Sequence, residues 1–300
     1  MFTPRMHFED VIQEGLLVMR KSRYSDIPNG LDSPLNHAVA KRDADTLQMV
    51  RNAIEHKQTL LAYQGIMVAH EPGRVGFYEG LIRILDETGR IIPAKDFINQ
   101  VEKTKTGREI DRLALRMGMQ TLHENPAIRV SVNMSARSIG YRPWMQTLNN
   151  WLSKDETLAE RLILEITERS AMDQPEITKD FMKHVSSHGV CFALDDFGAG
   201  YTSLSYLKDF YFDILKIDSR FCHGIAEDAD NQALVQVMIS IARHFDMLTV
   251  AEGVERKEDV ETLVALGADC LQGFYFDAPT TRPHWAFGEQ RRSKRKTTAA

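Results

Sequence analysis

From residue 60 onward the chain alternates short apolar runs, rich in β-branched and aromatic residues, with longer segments whose apolar positions recur at helical spacing. This alternation is typical of parallel strands joined by crossover helices. The pattern predicts eight strands, over residues 60–68, 75–84, 128–134, 161–167, 190–195, 212–217, 247–252 and 269–276. Eight strands with interposed helices in about 240 residues have the size of a TIM-like (β/α)8 barrel. We therefore expect an α/β fold of this kind.

The connection between the first two predicted strands is unusually short. Only the residues AHEPGR separate Val68 from Val75, whereas a parallel crossover needs a dozen or more residues. The two strands should form a hairpin instead. We therefore predict a barrel whose first strand is antiparallel to its neighbour.

The first 45 residues differ from the rest of the chain. A short amphipathic segment at residues 8–20 is followed by the turn-rich stretch SDIPNGLDSP, which favours irregular structure. Asp43 can then cap a helix that ends near His56. We expect an N-terminal extension or linker over residues 1–45, the barrel over residues 46–288 and a basic, disordered tail over residues 289–300.

Composition narrows the classes of partner. The formal net charge is only −5, from 42 acidic and 37 basic residues, so no strong field draws the molecule toward polymeric nucleic acid or an anionic membrane. No run approaches the roughly 20 apolar residues that span a bilayer, and the N-terminus lacks the basic and apolar regions of a signal peptide. We expect a cytoplasmic protein without a transmembrane segment.

Polar residues lie inside or directly after almost every predicted strand. In a barrel of this type the carboxyl ends of the strands meet on one face, so residues far apart in sequence should converge there. The candidates are Glu79, Asn133, Glu165, Glu168, Asp195, Asp196, Lys216, Asp218, Glu252, Glu255 and Gln272.

Seven carboxylates of this set would repel one another in a cleft and be costly to desolvate unless cations compensate: Glu79, Glu165, Glu168, Asp195, Asp196, Glu252 and Glu255. Ligands that are all oxygen suit hard ions such as Mg²⁺, Mn²⁺ or Ca²⁺. The adjacent pair Asp195 and Asp196 favours two ions, because one carboxylate can bridge both while the other holds the second. Any single position can also be a helix cap or a salt-bridge partner. Lys216 is either an ion-pair partner or a group that orients or helps deprotonate an attacking water.

Seven segments, in order and at matching spacing, resemble the EAL-domain phosphodiesterases, which hydrolyse the bacterial second messenger cyclic di-GMP to linear pGpG. The resemblance extends from about residue 48 to residue 287. The family also has an antiparallel first strand, in agreement with the short connection. The segments are YEGLIR (78–83), SVNMSARS (131–138), LEITE (164–168), LDDFGAGYTSL (194–204), LKIDSRF (215–221), VAEGVE (250–255) and LQGFYF (271–276).

The resemblance implies roles for the residues that would bind metal and activate water. Asp195 would be shared between two ions, and Asp196 would bind the second. Lys216 and Glu252 would position the attacking water, with Glu252 also a candidate second-metal ligand and general base. The ligands of the first metal ion would be Glu79, Asn133, Glu165 and Asp195.

The resemblance also implies residues that support the site and bind substrate. Glu168 would anchor the DDFG loop, the segment that follows the fifth predicted strand. Gln64 and Arg83 would contact the nucleotide, and Arg83 would bind a phosphate with its planar guanidinium. Glu255 and Gln272 would complete the substrate pocket.

Cofactors and partners follow from the same resemblance. It implies two Mg²⁺ or Mn²⁺ ions, inhibition by Ca²⁺, cyclic di-GMP as substrate, and a homodimer formed through the DDFG loop region and the segment after the sixth strand. The alternatives are a catalytically weak cyclic-di-GMP receptor, a protein-interaction scaffold, or an unrelated barrel enzyme. We favour the active enzyme because the chain retains every metal ligand and the DDFG loop.

Two positions depart from the pattern of the family. Gly80 stands where alanine or valine is usual, which removes little more than a methyl group. Gly65 follows Gln64 where proline is usual. Glycine frees the backbone at this step, so we expect a change in substrate affinity rather than a loss of activity.

Overall fold

The computed structural model of the chain describes residues 34–71, 73–200 and 204–287. The predicted amphipathic segment at residues 8–20 and the predicted basic tail at residues 289–300 lie outside these ranges. The chain divides into two compact units, residues 1–48 and residues 49–300. The boundaries predicted at residues 45 and 288 stay predictions.

The first described helix is longer than the sequence pattern indicated. Helix α1 covers Pro34–Glu55, so the predicted start at Asp43 is wrong. Proline suits the first position of a helix, because its fixed φ angle is already helical and its missing N–H would have no partner there. The last residue of the turn-rich stretch, Pro34, is therefore the first residue of a helix.

Nine strands form the sheet in the described residues. The prediction of a TIM-like barrel is confirmed, because the hydrogen-bonded order β1-β9-β8-β7-β6-β5-β4-β2 is closed by pairing between β1 and β2. The strands are β1 (Thr59–Val68), β2 (Val75–Leu85), β3 (Ile91–Pro93), β4 (Val130–Asn133), β5 (Leu162–Thr167), β6 (Cys191–Phe197), β7 (Ile214–Ile217), β8 (Leu248–Ala251) and β9 (Cys270–Leu271).

The first strand is antiparallel to both of its barrel neighbours. It pairs with β2 in a register that sets Gln64 opposite Glu79, and with β9 in a register that sets Met67 opposite Leu271. The neighbouring pairs from β2–β4 through to β8–β9 are parallel. The antiparallel first strand predicted from the short connection is therefore confirmed.

Two details of the sheet differ from the prediction. The short strand β3 was missed; it extends the end of β2 as an antiparallel hairpin in which Arg83 lies opposite Pro93. The last strand, predicted over residues 269–276, is limited to Cys270–Leu271. Gly273 explains the early end, since the chain turns so close to the segment after β8 that a Cβ on Gly273 would lie 2.0 Å from the carbonyl oxygen of Val254.

Helices cover the outside of the barrel between successive strands. The helices after α1 are α2 (Ile98–Val101), α3 (Lys105–Glu124), α4 (Arg142–Leu152), α5 (Glu168–Asp173), α6 (Pro175–Ser186), α7 (Ser219–Cys222), α8 (Ala229–His244) and α9 (Lys257–Leu266). The longest of these, α3, begins at a well-formed cap, because the hydroxyl of Thr104 accepts hydrogen bonds from the N–H groups of Thr106 and Gly107. Among the described residues, no helix combines the length and the apolar character that crossing a membrane requires.

A buried apolar layer fills the barrel interior below its carboxyl end. Side chains two residues apart in a strand point to the same side, so the residue two positions after each member of this layer also points into the barrel. The layer therefore supports a ring of residues above it. Its members include Phe77, Ile163, Ala193, Ile214 and Val250.

Candidate metal centre

The ring above the apolar layer is made of charged side chains. Each member follows a layer residue by two positions on its strand, which is why the chain places these groups inside the barrel. Their burial is close to complete for Glu165 and Lys216, at 0% and 1% exposed. The ring consists of Glu79 on β2, Glu165 on β5, Asp195 on β6, Lys216 on β7 and Glu252 directly after β8.

Lys216 lies at the centre of this ring. Its Nζ atom is 2.7 Å from Glu165 Oε2, 2.8 Å from Glu252 Oε1, 3.1 Å from Asp195 Oδ1 and 3.4 Å from Glu79 Oε2. One ammonium therefore faces four carboxylates in a site that is screened from water. In such an arrangement the protonation state of each group depends strongly on the charges of the others.

The pKa values of the ring follow from burial and from this shared ammonium. Burial, the Glu79 charge and the Asp195 charge raise the pKa of Glu165 to about 8, against the pull of Lys216. Burial also raises the pKa of Glu252 well above its usual value. Glu79 differs, since burial is outweighed by Lys216 and by amide hydrogen bonds, and its pKa is lowered. Burial lowers the pKa of Lys216, but the surrounding carboxylates raise it well above the usual lysine value.

Amide side chains hold Glu79 in place. Asn133, at the end of β4, donates its Nδ2–H to Glu79 Oε1 at 2.8 Å. Gln272 donates its Nε2–H to Glu79 Oε2 at 2.8 Å and to Gln64 Oε1 at 3.2 Å. Both oxygens of Glu79 therefore have fixed directions, as expected of a preorganised ligand.

A break in the sheet brings two consecutive aspartates to the same face. Neighbouring residues of a strand normally point to opposite sides. The β6–β7 register shifts between Leu194 and Phe197, and Asp196 has a left-handed φ of 57°. A bulge of this kind re-aims side chains. As a result, carboxylate oxygens of Asp195, Asp196 and Glu252 lie within 4.8 Å of one another.

The donor set fits divalent cations. Five carboxylates (Glu79, Glu165, Asp195, Asp196 and Glu252) face one ammonium, so the fully ionised cluster has a formal charge of −4, which two divalent ions would neutralise. Two buried oxygens, Glu165 Oε1 and Asp195 Oδ1, accept no hydrogen bond from the described residues; Asp195 Oδ1 has only the ion-pair contact with Lys216. Burial and the charges of Asp195 and Asp218 also raise the pKa of Asp196 to about 6. Hard ions with oxygen ligands suit these groups.

Two clefts open on either side of Glu79. One, of about 380 Å³, is lined by Asn133, Asp195 and Asp196 among others. The other, of about 370 Å³, contains the predicted substrate residues Gln64, Arg83, Glu255 and Gln272, together with Glu252. An elongated ligand could therefore extend across the metal centre into both clefts.

The predicted substrate residues differ in how firmly they are held. Gln64 is buried and donates its Nε2–H to the carbonyl oxygen of Asp277 at 3.0 Å. Arg83 is half-buried, and burial lowers its pKa. Glu255 is exposed and lies 3.8 Å from Nδ1 of His223, at the rim of the cleft. Arg83 also donates Nη1–H to the carbonyl oxygen of Ile82 at 3.0 Å. The Gln64 amide is therefore held through contacts with other segments, Arg83 through its neighbour in the strand, and Glu255 least of the three.

Two other predicted residues lie beside the ring. Glu168, the first residue of α5, is buried and accepts a hydrogen bond from the N–H of Gly198 at 3.3 Å, so it contacts the start of the DDFG loop. Residues 201–203 of that segment lie outside the described ranges. Asp218 is the N-cap of α7: its carboxylate accepts a hydrogen bond from the N–H of Arg220 at 2.8 Å.

Sequence reasoning missed Asp111 on α3. This carboxylate is buried, lines the cleft beside Asn133, and accepts hydrogen bonds from Ser138 Oγ at 2.5 Å and Ser135 N at 3.0 Å. Burial raises its pKa to about 6 despite both bonds. A signal was present, because Asp111 falls on the buried stripe of α3 with Leu115.

The fold and the site define a closed α/β barrel protein with a candidate divalent-cation centre at the carboxyl ends of its strands. The sequence model of the EAL domain matches residues 47–279. The chain belongs to the EAL-domain family.

Related proteins agree with this assignment. The bifunctional diguanylate cyclase/cyclic di-GMP phosphodiesterase MucR of Pseudomonas aeruginosa is 31% identical over 253 residues, which cover 83% of this chain and 37% of that protein. The cyclic di-GMP phosphodiesterase PdeF of Escherichia coli is 30% identical over 237 residues, which cover 78% of this chain and 31% of that protein. The chain thus spans about a third of the length of such curated relatives.

Solved structures show the same barrel. The c-di-GMP complex of the PaMucR phosphodiesterase superposes with a TM-score of 0.69 at 32% identity, covering 79% of this chain and 97% of that one. An EAL domain protein from Listeria monocytogenes superposes with a TM-score of 0.69 at 26% identity, covering 84% and 98%.

Proposed function

We propose that this chain is a metal-dependent phosphodiesterase that hydrolyses cyclic di-GMP to linear pGpG. The observation that carries the proposal is the all-oxygen cluster around Lys216, with a cleft on each side of Glu79. Relatives named as cyclic di-GMP phosphodiesterases support the choice of substrate.

The metal ions are proposed to be Mg²⁺ or Mn²⁺, two in number. Glu79, Asn133, Glu165 and Asp195 would hold the first, and Asp195, Asp196 and Glu252 the second. When bound, the ions supply positive charge against the phosphodiester and make water a stronger nucleophile. Ca²⁺ is expected to inhibit, since it favours more ligands and a looser geometry than Mg²⁺.

Lys216 and Glu252 are proposed to handle the attacking water. They lie 2.8 Å apart, so Lys216 can donate a hydrogen bond to a water that Glu252 deprotonates. Burial raises the pKa of Glu252, which makes its carboxylate a stronger base than an exposed one. The water oxygen bonds to phosphorus and the P–O3′ bond breaks, which leaves the 5′-phosphate of pGpG and a 3′-hydroxyl that takes up a proton.

The second cleft is proposed to recognise the nucleotide. Arg83 presents a guanidinium whose fork matches a phosphate, and Gln64 presents a fixed amide to the base. Glu255 and Gln272 complete this cleft. Glu168 would keep the DDFG loop, and with it Asp195 and Asp196, in register.

The homodimer and the cytoplasmic location stay predictions. The dimer is supported by the outward face of α8, where Leu234 is 46% and Val237 is 55% exposed. Apolar side chains grouped on one helix face are typical of a surface that meets a partner. This helix lies in the connection between the sixth and seventh predicted strands, and the family resemblance connects the segment after the sixth strand with dimer formation.

The test is a turnover assay on the purified chain with Mg²⁺ or Mn²⁺, with pGpG separated from cyclic di-GMP by chromatography. Glu79→Ala is the matched inactive control, and Glu258→Ala, on the exposed start of α9, is the control that should leave activity unchanged. Tight binding of cyclic di-GMP without product would favour a receptor or scaffold. Absence of both binding and product would contradict the proposed function and the receptor alternative.

A further inference from the structure

One edge of β1 is held by a distant segment near the C-terminal end of the barrel. Tyr63 exchanges two backbone hydrogen bonds with Thr280, at 2.8 and 3.0 Å. Met67, four residues further along, pairs with Leu271 of β9. Between these two points the N–H of Gly65 has no strand partner on that side among the residues that the structure describes, and buried N–H groups need a partner.

Asp277 supplies that partner. Its Oδ2 accepts the N–H of Gly65 at 3.3 Å, while its own carbonyl oxygen accepts Nε2–H of Gln64 at 3.0 Å. One residue therefore binds two consecutive residues of β1, one through its side chain and one through its backbone. The carboxylate also occupies the space beside Gly65, because a Cβ there would lie 3.3 Å from Oδ2.

The contact connects to the metal centre through amides. Gln64 Oε1 accepts a hydrogen bond from Gln272, which also donates to Glu79. With its Nε2 bound to Asp277 and its Oε1 bound to Gln272, the Gln64 amide has a single orientation. Its direction into the second cleft therefore depends on where the backbone of Asp277 lies.

We propose that Asp277 is a positioning residue that fixes the Gln64 amide for ligand binding, and that glycine at position 65 is what allows it. The inference rests on the proposed function and deepens it. Asp277 restrains position 65, as a rigid backbone there would. A proline at position 65 would have no N–H, so the Asp277 carboxylate would have no hydrogen bond to accept from that position of β1. The effect is on affinity, because Asp277 does not reach the carboxylate ring.

The experiment compares Asp277→Ala, Gly65→Pro and the double variant in the full chain with Mg²⁺. We expect Asp277→Ala to raise KM and the dissociation constant for cyclic di-GMP about fivefold, the equivalent of one hydrogen bond, with kcat changed less than about twofold. Asp277→Asn, which keeps an acceptor oxygen, should recover most of the affinity. In the Gly65→Pro background, Asp277→Ala should change KM by less than about twofold, since the donor it served is gone.

Asp213→Ala is the matched control. Asp213 is also an exposed aspartate whose Oδ2 accepts a strand N–H, that of Phe192 at 2.8 Å, before the start of β7. Asp213→Ala should lower the melting temperature without changing KM. If Asp277→Ala behaves like Asp213→Ala, or if the effects at positions 65 and 277 are additive, the inference is wrong.

A second readout needs no ligand. Amide hydrogen exchange over residues 60–66 should be faster in Asp277→Ala than in the wild type, because the N–H of Gly65 loses its acceptor. Unchanged exchange would also overturn the inference. Failure of the wild-type chain to bind cyclic di-GMP would instead contradict the proposed function, and the exchange rate would still decide whether Asp277 holds β1.

Discussion

Replacing Lys216 by methionine tests the electrostatic design of the barrel mouth. Methionine has a similar length and no charge, so the packing above the apolar layer is kept while the ammonium is removed. Four carboxylates within 3.4 Å of Nζ then lose their counter-charge in a site where Lys216 is 1% exposed. We expect a large loss of stability in the metal-free protein.

The size of the loss follows from burial. Removing one partner of a buried ion pair costs about 3–5 kcal/mol, because the remaining charge has no compensation. For a unit of about 250 residues, each kcal/mol shifts the melting temperature by about 2–4 °C, so the expected decrease is about 6–20 °C. Lys257→Met is the matched control. Lys257 is exposed and forms an ion pair with Glu261 at 3.1 Å, and exposed pairs contribute little to stability, so this variant should melt close to the wild type.

The loss of stability in Lys216→Met should change with pH, and the pKa shifts give the direction of that change. Lys216 lowers the pKa values of Glu79, Glu165 and Glu252, so all three rise when it is removed, and the folded variant binds protons that the unfolded chain releases. Stability that depends on such protons is present at low pH and is lost as pH rises. The difference between wild type and variant should therefore increase from pH 5 to pH 8, and Mg²⁺ should reduce it by binding only the folded state. A loss that is independent of pH in EDTA, or no larger than that of Lys257→Met, would refute this reasoning.

Three further predictions concern other parts of the barrel. Asp196→Asn should lower kcat at least about 100-fold with no loss of melting temperature, since it removes one negative charge from an acidic cluster; near-normal turnover would contradict the second-metal role. The pKa of Asp111 is raised from 3.8 to about 6, so the about 3 kcal/mol that it contributes to the free energy of unfolding is present below pH 4 and lost as pH rises to 6. In Asp111→Asn the free energy of unfolding should not decrease with pH in this way between pH 4 and pH 6. The same decrease in the variant would contradict the assignment. Gly273→Ala should cost about 3 kcal/mol by forcing a methyl against Val254. Gly89→Ala, where a Cβ would meet no atom of the described residues within 4 Å, should cost only about 1 kcal/mol for its positive φ. Equal losses would rule out the steric cause.

The fold was predictable because local patterns and connection lengths determine it. Apolar runs located all eight barrel strands, and six residues between Val68 and Val75 were enough to predict the antiparallel hairpin. The three-residue strand Ile91–Pro93 has no such pattern, because it is formed only by pairing with β2. The start of α1 at Pro34 was missed because a single proline reads equally as a turn signal and as a first helical residue.

The candidate site was predictable where a polar residue interrupts an apolar strand. Glu79, Glu165 and Lys216 stand out in this way, and strand geometry brings them together. The bulge that re-aims Asp196 depends on a backbone angle of 57°, which no residue type reveals. Asp277 was missed for a different reason: its partner Gly65 is more than 200 positions away, and contacts between distant loops leave no periodic signal.

Closure of the barrel through β1 has a consequence for synthesis of the chain. β1 finds one partner in β2 almost at once, but its other edge pairs with Leu271, roughly 200 residues later in translation order. Until that segment leaves the ribosome, a nascent sheet has an open edge with unpaired N–H and C=O groups, the kind of edge that recruits other chains. Because the last strand closes the sheet by pairing with β1, a chain cut shortly before Cys270 would retain most helices and strands yet remain prone to aggregation.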